Sequence, residues 1–231
     1  MRVTIHQPQF MPWLGYFDKM DHADLFLLLD TVQFKKNEWQ NRNRVKTAQG
    51  AGWLTVPVRF RFPARIDEVG LNDDVPWRQK HRQTLLTNYR KAAFWERESD
   101  AIESLYAGGE SSLRDVSVAT IRWLAERLGV TTPLQLTSDL PVEETEPTQR
   151  LIELCRHVGA HTYLSGADGR NYLDVARFTS AGIDVIFQEY EPQPYVQLFG
   201  DFVSHLSAID LILNCGPDSS GILRAGRRTQ E

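Results

Sequence analysis

The feature that most constrains the fold is a pair of short apolar runs near the start of the chain, with one helical segment between them. Residues 2–6 (RVTIH) and residues 25–29 (LFLLL) each have the length of a short β-strand. Between them, residues 13–20 place Trp, Leu, Phe and Met at helical spacing. A continuous apolar run such as LFLLL is typical of a strand that is covered on both faces. The sequence therefore predicts that the chain begins with a βαβ unit.

The rest of the chain continues the alternation of strands and helices. Glycines and prolines separate the segments, and the middle of the chain is mostly helical. The pattern predicts an α/β fold, with a Rossmann-like three-layer architecture, a mostly parallel sheet and a helical insertion over about residues 76–129. Further strands are predicted at 53–58, 133–138, 161–165 and 183–190, and helices over 76–106, 113–129, 149–159 and 205–216.

The domain organisation follows from the absence of any low-complexity linker or internal repeat in the sequence. We expect a single domain over residues 1–218. A division into two domains near residues 60–130 is the alternative. Residues 219–231 are expected to form a frayed C-terminal tail, because Ile222 and Leu223 are the only sizeable apolar side chains in that segment.

Composition and charge narrow the functional classes. The net charge of −4 gives no overall attraction to nucleic acid, so no DNA partner is expected. The N-terminus lacks the apolar stretch of a signal peptide, and no window has the length of a membrane span, which predicts a cytoplasmic protein. Cys155 and Cys215 form neither a disulfide framework nor a CxxC pair, and no metal motif is present. The sequence leaves the cofactor and the oligomeric state open.

The first candidate site is the segment after the first predicted strand, IHQPQFMPWLGYFDKM. Ligands of doubly wound sheets bind outside the carboxyl ends of the strands, and His6 and Gln7 stand where this strand ends. His6 can act as a general acid or base or bind phosphate, and the N-terminus of the following helix attracts anions. We assign His6 as the catalytic candidate and Gln7 as a substrate-binding candidate. The alternative is that His6 is a partly buried strand residue with a satisfied ring.

The second candidate site is the segment KKNEWQNRNRVK, residues 35–46, here called the basic segment. Arginine recognises phosphate or carboxylate with two hydrogen bonds, and the asparagines add planar hydrogen-bonding groups. The segment follows the end of the second predicted strand, so it can form a lid over the same site. The alternative is a solvated loop with ordinary surface charges. The substrate-binding candidates are Lys35, Lys36, Asn41, Arg42, Asn43 and Arg44, together with Asp30, which would orient the substrate.

The third candidate site is the segment YLSGADGRNYL, whose residues 165–169 are here called the Ser165 loop. Its glycines let the backbone approach a ligand closely, and successive N–H groups can bind an anion. The alternative is an ordinary turn. Because the strands are predicted to be parallel, we expect His6, the basic segment and the Ser165 loop to converge on one pocket. The substrate-binding candidates here are Ser165, Gly166, Gly169 and Tyr172, and Ser138 is a further candidate after another predicted strand.

Long stretches of the chain resemble the WbqC-like protein family. The resemblance is carried by IHQPQFMPWLGYFDKMDHADLFLLLDTVQF, WQNRNRVKT and WLTVPV, and it continues in WRQKHRQTLLTNYRKAAFW, YLSGADGRNYL and LSAIDLILNCGP, to about residue 218. Members of this family are bacterial proteins that are often associated with surface-polysaccharide biosynthesis of the O-antigen type. The resemblance implies a transferase that attaches an acyl group, or an amino acid such as glycine, to a nucleotide-linked or otherwise anionic sugar.

Two other functions remain open from the sequence. One is a non-catalytic ligand-binding or scaffold protein of such a pathway. The other is an adenylate-forming ligase or nucleotidyltransferase, because Trp13-Leu14-Gly15-Tyr16 resembles the His-x-Gly-His loop of nucleotidyltransferases and pantothenate synthetases. Tyr16 stands in the place of the second histidine and cannot carry positive charge to a triphosphate. We include Tyr16 among the substrate-binding candidates.

Overall fold

The computed structural model describes residues 1–228, and a five-stranded parallel sheet forms its centre. The strands in this range are β1 Arg2–His6, β2 Leu25–Leu28, β3 Arg42–Thr47, β4 Gly50–Thr55, β5 Val58–Arg59, β6 Gly70–Leu71, β7 Leu134–Leu136, β8 Thr162–Ser165 and β9 Asp184–Phe187. The α-helices in this range are α1 Leu14–Asp21, α2 Trp77–Tyr89, α3 Trp95–Leu105, α4 Leu113–Arg127, α5 Pro147–His157, α6 Val175–Ser180, α7 Ile209–Cys215 and α8 Ser219–Ala225.

The central sheet has the order β7-β2-β1-β8-β9, and every neighbouring pair in it is parallel. Both faces of the sheet are covered. Phe26 and Leu28 of β2 belong to one hydrophobic core, and Leu27 belongs to the core on the other face. This double burial explains why the second apolar run has no polar alternation. The predicted α/β, Rossmann-like three-layer fold is confirmed.

The helices form the two outer layers. The first core contains residues from α1, from the helices α2–α4 and from α7 and α8, whereas the second core contains residues of α5 and α6. Some of the helix starts follow ordinary capping chemistry. The side chain of Ser112 accepts a hydrogen bond from the N–H of Asp115 at the start of α4, and α5 begins with Pro147. None of the helices within residues 1–228 is both long enough and apolar enough to cross a membrane.

The segment between β2 and β7 contains more than the predicted helices. It begins with two antiparallel hairpins, β3–β4 and β5–β6, and continues with α2–α4. The predicted strand at 53–58 is divided between β4 and β5, and the predicted helix over 76–106 is two helices. Pro57 lies at the first break, where a residue without an N–H cannot continue a strand ladder.

The sequence analysis predicted no strand in the basic segment, but the second half of the segment forms one. Residues from Arg42 onward form β3, which pairs with β4. Its side chains alternate from Arg42 to Val45: Asn43 and Val45 are buried, and Arg42 and Arg44 are partly exposed. Lys46 breaks the alternation because it is buried as well. A buried asparagine at one of the inward positions conceals this alternation in the sequence.

The prediction of a frayed tail from residue 219 was wrong for the described part of the tail. Ser219–Ala225 is the helix α8, and Leu223 is fully buried in the first core. Arg224 forms an ion pair with Asp21 of α1 over 2.8 Å. Arg227 lies equally close to the carboxylates of Asp18 and Asp21. One buried leucine and two arginines with acidic partners therefore anchor the segment, and residues 229–231 lie outside the described residues.

Candidate functional site

A cleft lies at the point of the central sheet where the order in which the chain adds strands changes direction. From β1 the chain adds β2 and β7 on one side, and then returns to place β8 and β9 on the other side of β1. Such a switch point opens a crevice at the carboxyl ends of the two central strands. A cleft of about 800 Å³ occupies this position. Its lining includes His6, Gln7, Gln9, Trp13, Gly15, Tyr16, Lys19, Lys35, Trp39, Tyr163, Gly166, Asp168, Gly169, Tyr172, Gln188, Tyr190 and His205.

The His6 ring is held at the end of β1 in one tautomer. Its Nδ1 lies 3.1 Å from the backbone carbonyl oxygen of Gln7. Because a carbonyl can only accept, Nδ1 carries the proton and Nε2 keeps its lone pair. Tyr16 fixes the ring further through an edge-on contact at 4.8 Å, and its hydroxyl donates to the same carbonyl over 3.3 Å. His6 is therefore positioned as a hydrogen-bond acceptor on the wall of the cleft.

The surroundings of His6 keep its ring neutral. Burial lowers its pKa to about 3, the positive charge of Lys19 acts in the same direction, and the hydrogen bond to Gln7 opposes both. Burial also raises the pKa of Tyr16 well above its ordinary value, so its hydroxyl stays protonated. At neutral pH, His6 therefore offers a lone pair to a proton and no positive charge to a phosphate.

Glutamine side chains connect β1 with the basic segment. The amide nitrogen of Gln40 donates to the side-chain oxygen of Gln7 over 2.6 Å, and its own side-chain oxygen accepts the N–H of Lys35 over 2.8 Å. This bridge brings Lys35 and the half-exposed Trp39 to the rim of the cleft. The first half of the basic segment therefore borders the same cleft as His6.

The Ser165 loop forms the opposite wall. Ser165 is buried, and its hydroxyl donates to the carbonyl oxygen of Gly166 over 3.0 Å. A side chain at Gly169 would collide with Ser165, because a Cβ there would lie 2.0 Å from the Ser165 hydroxyl oxygen. Gly166 and Gly169 line the cleft, and Tyr172 stands on its edge with 66% of its surface exposed. The glycine at 169 is thus required by close packing within the loop.

Lys19 is a residue of the cleft that the sequence analysis missed. It is only 2% exposed, and its ammonium nitrogen lies 3.4 Å from the carbonyl oxygen of Ile5. Burial lowers its pKa to about 7. No sequence signal pointed to it, because only the structure shows that every residue of α1 from Leu14 to Met20 is buried.

The far wall comes partly from the segment between β9 and α7. The amide nitrogen of Gln188 donates to the carbonyl of Gly15 and to the carboxylate of Asp18, each over 2.7 Å. The ring of Trp13 stacks on His205 at 4.8 Å between centroids. A Cβ at Gly15 would lie 2.2 Å from the Trp13 ring, so the glycine makes room for this stacking. No pattern in the sequence points directly to Gln188 or His205.

Asp30 and Ser138 are brought together away from the cleft lining. Asp30 is fully buried, and its carboxylate accepts hydrogen bonds from the hydroxyls of Thr137 and Ser138 and from the N–H of Ser138. A nitrogen of Arg114 lies 3.7 Å from the same carboxylate. These contacts join the carboxyl ends of β2 and β7, and they fill the hydrogen-bonding positions that would otherwise orient a substrate.

The remaining candidates of the basic segment have other surroundings. Asn41 and Asn43 are buried, and their amide groups donate to the backbone carbonyls of Val56 and Phe10.

Arg42 lies over the exposed ring of Trp53 at 4.2 Å, and Arg44 lies 5.8 Å from that ring. The structure therefore places the two arginines beside an exposed indole and the two asparagines inside the hairpin. Lys36 is exposed. The role of these residues in binding stays a prediction.

Comparisons with known proteins found one matching family and a similar bacterial protein. The family model described as the WbqC-like protein family matches residues 7–222. The uncharacterised protein Rv1507c of Mycobacterium tuberculosis is 34% identical over 231 residues, which covers 98% of this chain and 99% of that protein. No solved structure matches. Across residues 1–228, no group of three or more His, Cys, Asp or Glu residues is arranged to hold a metal ion.

Proposed function

The chain belongs to the WbqC-like protein family, and we propose that it is a transferase that moves an acyl or aminoacyl group onto a nucleotide-linked or otherwise anionic sugar. The proposal rests mainly on the position of His6. Its Nε2 lone pair stands on a cleft at the switch point of the sheet, where doubly wound proteins bind nucleotides. The cleft volume of about 800 Å³ lies within the range of about 300–1,000 Å³ that is typical of small-molecule sites.

The proposed chemistry is general-base catalysis by His6. A hydroxyl or amine of the sugar gives its proton to Nε2 as its oxygen or nitrogen bonds to the acyl carbonyl carbon. The imidazolium then returns the proton to the group that leaves the acyl carbon. The low pKa of His6 makes it a weak base in the empty protein, but an anion bound beside it would raise that pKa.

The test is a search for products by mass spectrometry. Purified protein is incubated with a panel of nucleotide sugars together with acyl or aminoacyl thioesters. We expect a sugar whose mass is increased by one acyl or aminoacyl group. His6→Ala should abolish this product, whereas His157→Ala, at an exposed histidine on α5, should leave it unchanged. Equal product from His6→Ala and wild type would refute the role of His6.

The second candidate function is a non-catalytic ligand-binding protein of the same kind of pathway. The observation that favours it is the pKa of His6, because a ring with a pKa of about 3 is a poor proton acceptor at neutral pH. A binding protein would return every nucleotide sugar of the panel unchanged, yet still retain one of them in equilibrium dialysis.

Adenylate formation is disfavoured, because the buried Tyr16 stays uncharged, and ATP consumption without a sugar acceptor would be its signature.

A further inference from the structure

Lys19 is the buried cation of the cleft. Its position on α1 places it near enough to His6 for its charge to lower the pKa of that ring, and against the Ser165 loop, where a Cβ at Gly166 would lie 3.9 Å from the Lys19 nitrogen. The side chain is almost completely enclosed, yet it lines the cleft of about 800 Å³. Its nitrogen can donate three hydrogen bonds, and within residues 1–228 it makes one, a long bond to the carbonyl of Ile5. A ligand in the cleft can therefore reach an ammonium group with unused donors.

Lys19 also has no carboxylate partner in the part of the chain that the structure describes. Asp18, its neighbour on α1, is engaged by Arg227 and Gln188 instead. Burial is the cause of the lowered pKa of Lys19, and no acidic group opposes it. The other titratable or charged groups along the cleft are His6 from β1, Tyr16 from α1, Tyr163 from β8, Asp168 and Tyr172 after β8, Tyr190 after β9, His205 before α7, and Lys35 from the basic segment.

A buried ammonium without a counter-ion is unfavourable, and the amine escapes the penalty by losing its proton. A ligand anion in the cleft would supply the missing negative charge and favour the ammonium form. We propose that Lys19 binds the anionic group of the ligand and takes up one proton when that ligand binds above neutral pH. This inference rests on the proposed function in one respect, that the ligand of the cleft is anionic.

The test measures proton uptake by calorimetry. UDP-glucose and sulfate serve as probes, because neither titrates between pH 6 and pH 8, and each is titrated into the protein in buffers with different ionisation enthalpies. At pH 8, one unit above the pKa of about 7, we expect uptake of about 0.9 protons per bound ligand. At pH 6, where Lys19 is already charged, the uptake should fall below about 0.2.

Three variants distinguish the contribution of Lys19 to binding and proton uptake from the contributions of neighbouring groups. Lys19→Arg keeps a permanent charge, so it should bind the probes without proton uptake at either pH. Lys19→Met should bind about tenfold more weakly or worse at pH 6, because a charge-assisted hydrogen bond is lost. Lys35→Met, at the rim, should weaken binding yet leave the proton uptake unchanged. If His6 took up the proton instead of Lys19, the uptake would persist in Lys19→Arg and would also appear at pH 6. The two sources of proton uptake are therefore distinguishable.

The outcomes also separate this inference from the proposed function. Sulfate binding with proton uptake, but no binding of UDP-glucose, would support Lys19 and count against a nucleotide sugar as the ligand. UDP-glucose binding without proton uptake at pH 8 would overturn the role of Lys19 and leave the transferase proposal standing. Binding of neither probe by the wild-type protein would overturn the inference, because an unpaired ammonium that lines a cleft attracts anions.

Discussion

At the residue scale, Gly166 and Gly169 have different surroundings although they share one loop. A Cβ at Gly169 would lie 2.0 Å from the Ser165 hydroxyl oxygen and 3.0 Å from a methyl carbon of Leu173. At Gly166, the nearest atom within contact range is the Lys19 nitrogen at 3.9 Å, which is an ordinary contact. The first glycine is therefore replaceable on steric grounds, and the second is not.

We predict that Gly169→Ala lowers the free energy of unfolding by about 1–3 kcal/mol, because overpacking forces the loop to shift. Gly166→Ala is the matched control, and it should change the free energy of unfolding by less than about 0.5 kcal/mol. Urea denaturation of both variants measures the difference. Equal stability of the two variants would show that the loop is not packed as described.

Single residues also show what the sequence can and cannot predict about the site. His6 and Gly169 were predictable as residues of the cleft, because a strand end followed by polar residues or glycines indicates where a ligand binds in a doubly wound sheet. Lys19 was not predictable in this way, since a lysine in a helix normally faces water. Asp30 looked equally suitable as a strand-end carboxylate, but hydrogen bonds from Ser138 occupy it, and such partners are invisible before the fold is known.

At the scale of elements, the docking of the C-terminal segment against α1 depends on charge. Arg227 lies 2.8 Å from the buried carboxylate of Asp18 and from Asp21. By contrast, Arg228 pairs with Glu191 where both side chains are more than half exposed. A pair with a buried carboxylate contributes more than an exposed pair, because removing one partner leaves an uncompensated charge out of water.

We predict that Arg227→Ala lowers the free energy of unfolding by about 2 kcal/mol at pH 7, with Gln188 still bonded to Asp18 and limiting the loss. Arg228→Ala, the control at an exposed pair, should change it by less than about 0.5 kcal/mol. Both values are obtained from urea denaturation. If the two variants lose the same small amount, the segment after α8 is not docked.

The effect of Arg227→Ala should also depend on pH. Burial raises the pKa of Asp21, but the hydrogen bonds and charges of Arg224 and Arg227 outweigh it, so the net pKa lies below its ordinary value. A carboxyl group whose pKa is lowered in the folded state stabilises the fold above its unfolded-state pKa of about 3.9, and that contribution is lost as the pH falls through the folded-state pKa. The part of the difference between wild type and Arg227→Ala that acts through Asp21 should therefore shrink in the acid range.

Strands were predictable from the sequence where few polar residues interrupt their apolar pattern. β1, β2, β8 and β9 lie within the predicted strands, because most of their buried side chains are apolar, although Thr4 and Ser165 are buried too. β3 was missed, since buried Asn43 makes an inward position look polar. The helix α8 was missed for a related reason: a single buried leucine and two arginines with distant acidic partners fix it, and those partners lie about two hundred residues away in the sequence.

At the scale of the whole molecule, the strand order determines where the site is. β1 is the centre of the sheet, and the chain builds outward from it first on one side and then on the other. This reversal places the end of β1 and the Ser165 loop on the two walls of one crevice. The sequence predicted parallel strands and one shared edge, but the order of the strands depends on long-range pairing that local patterns do not encode.

On the proposed function, this crevice binds a nucleotide-linked sugar between His6 and Lys19. The most direct measurement is a crystal structure of the protein with UDP-glucose bound. We predict that a diphosphate oxygen lies within about 3.2 Å of the Lys19 nitrogen and that the sugar lies on the side of His6 Nε2. A structure with the nucleotide sugar bound outside the crevice, for example against α5 on the opposite layer, would contradict the claim.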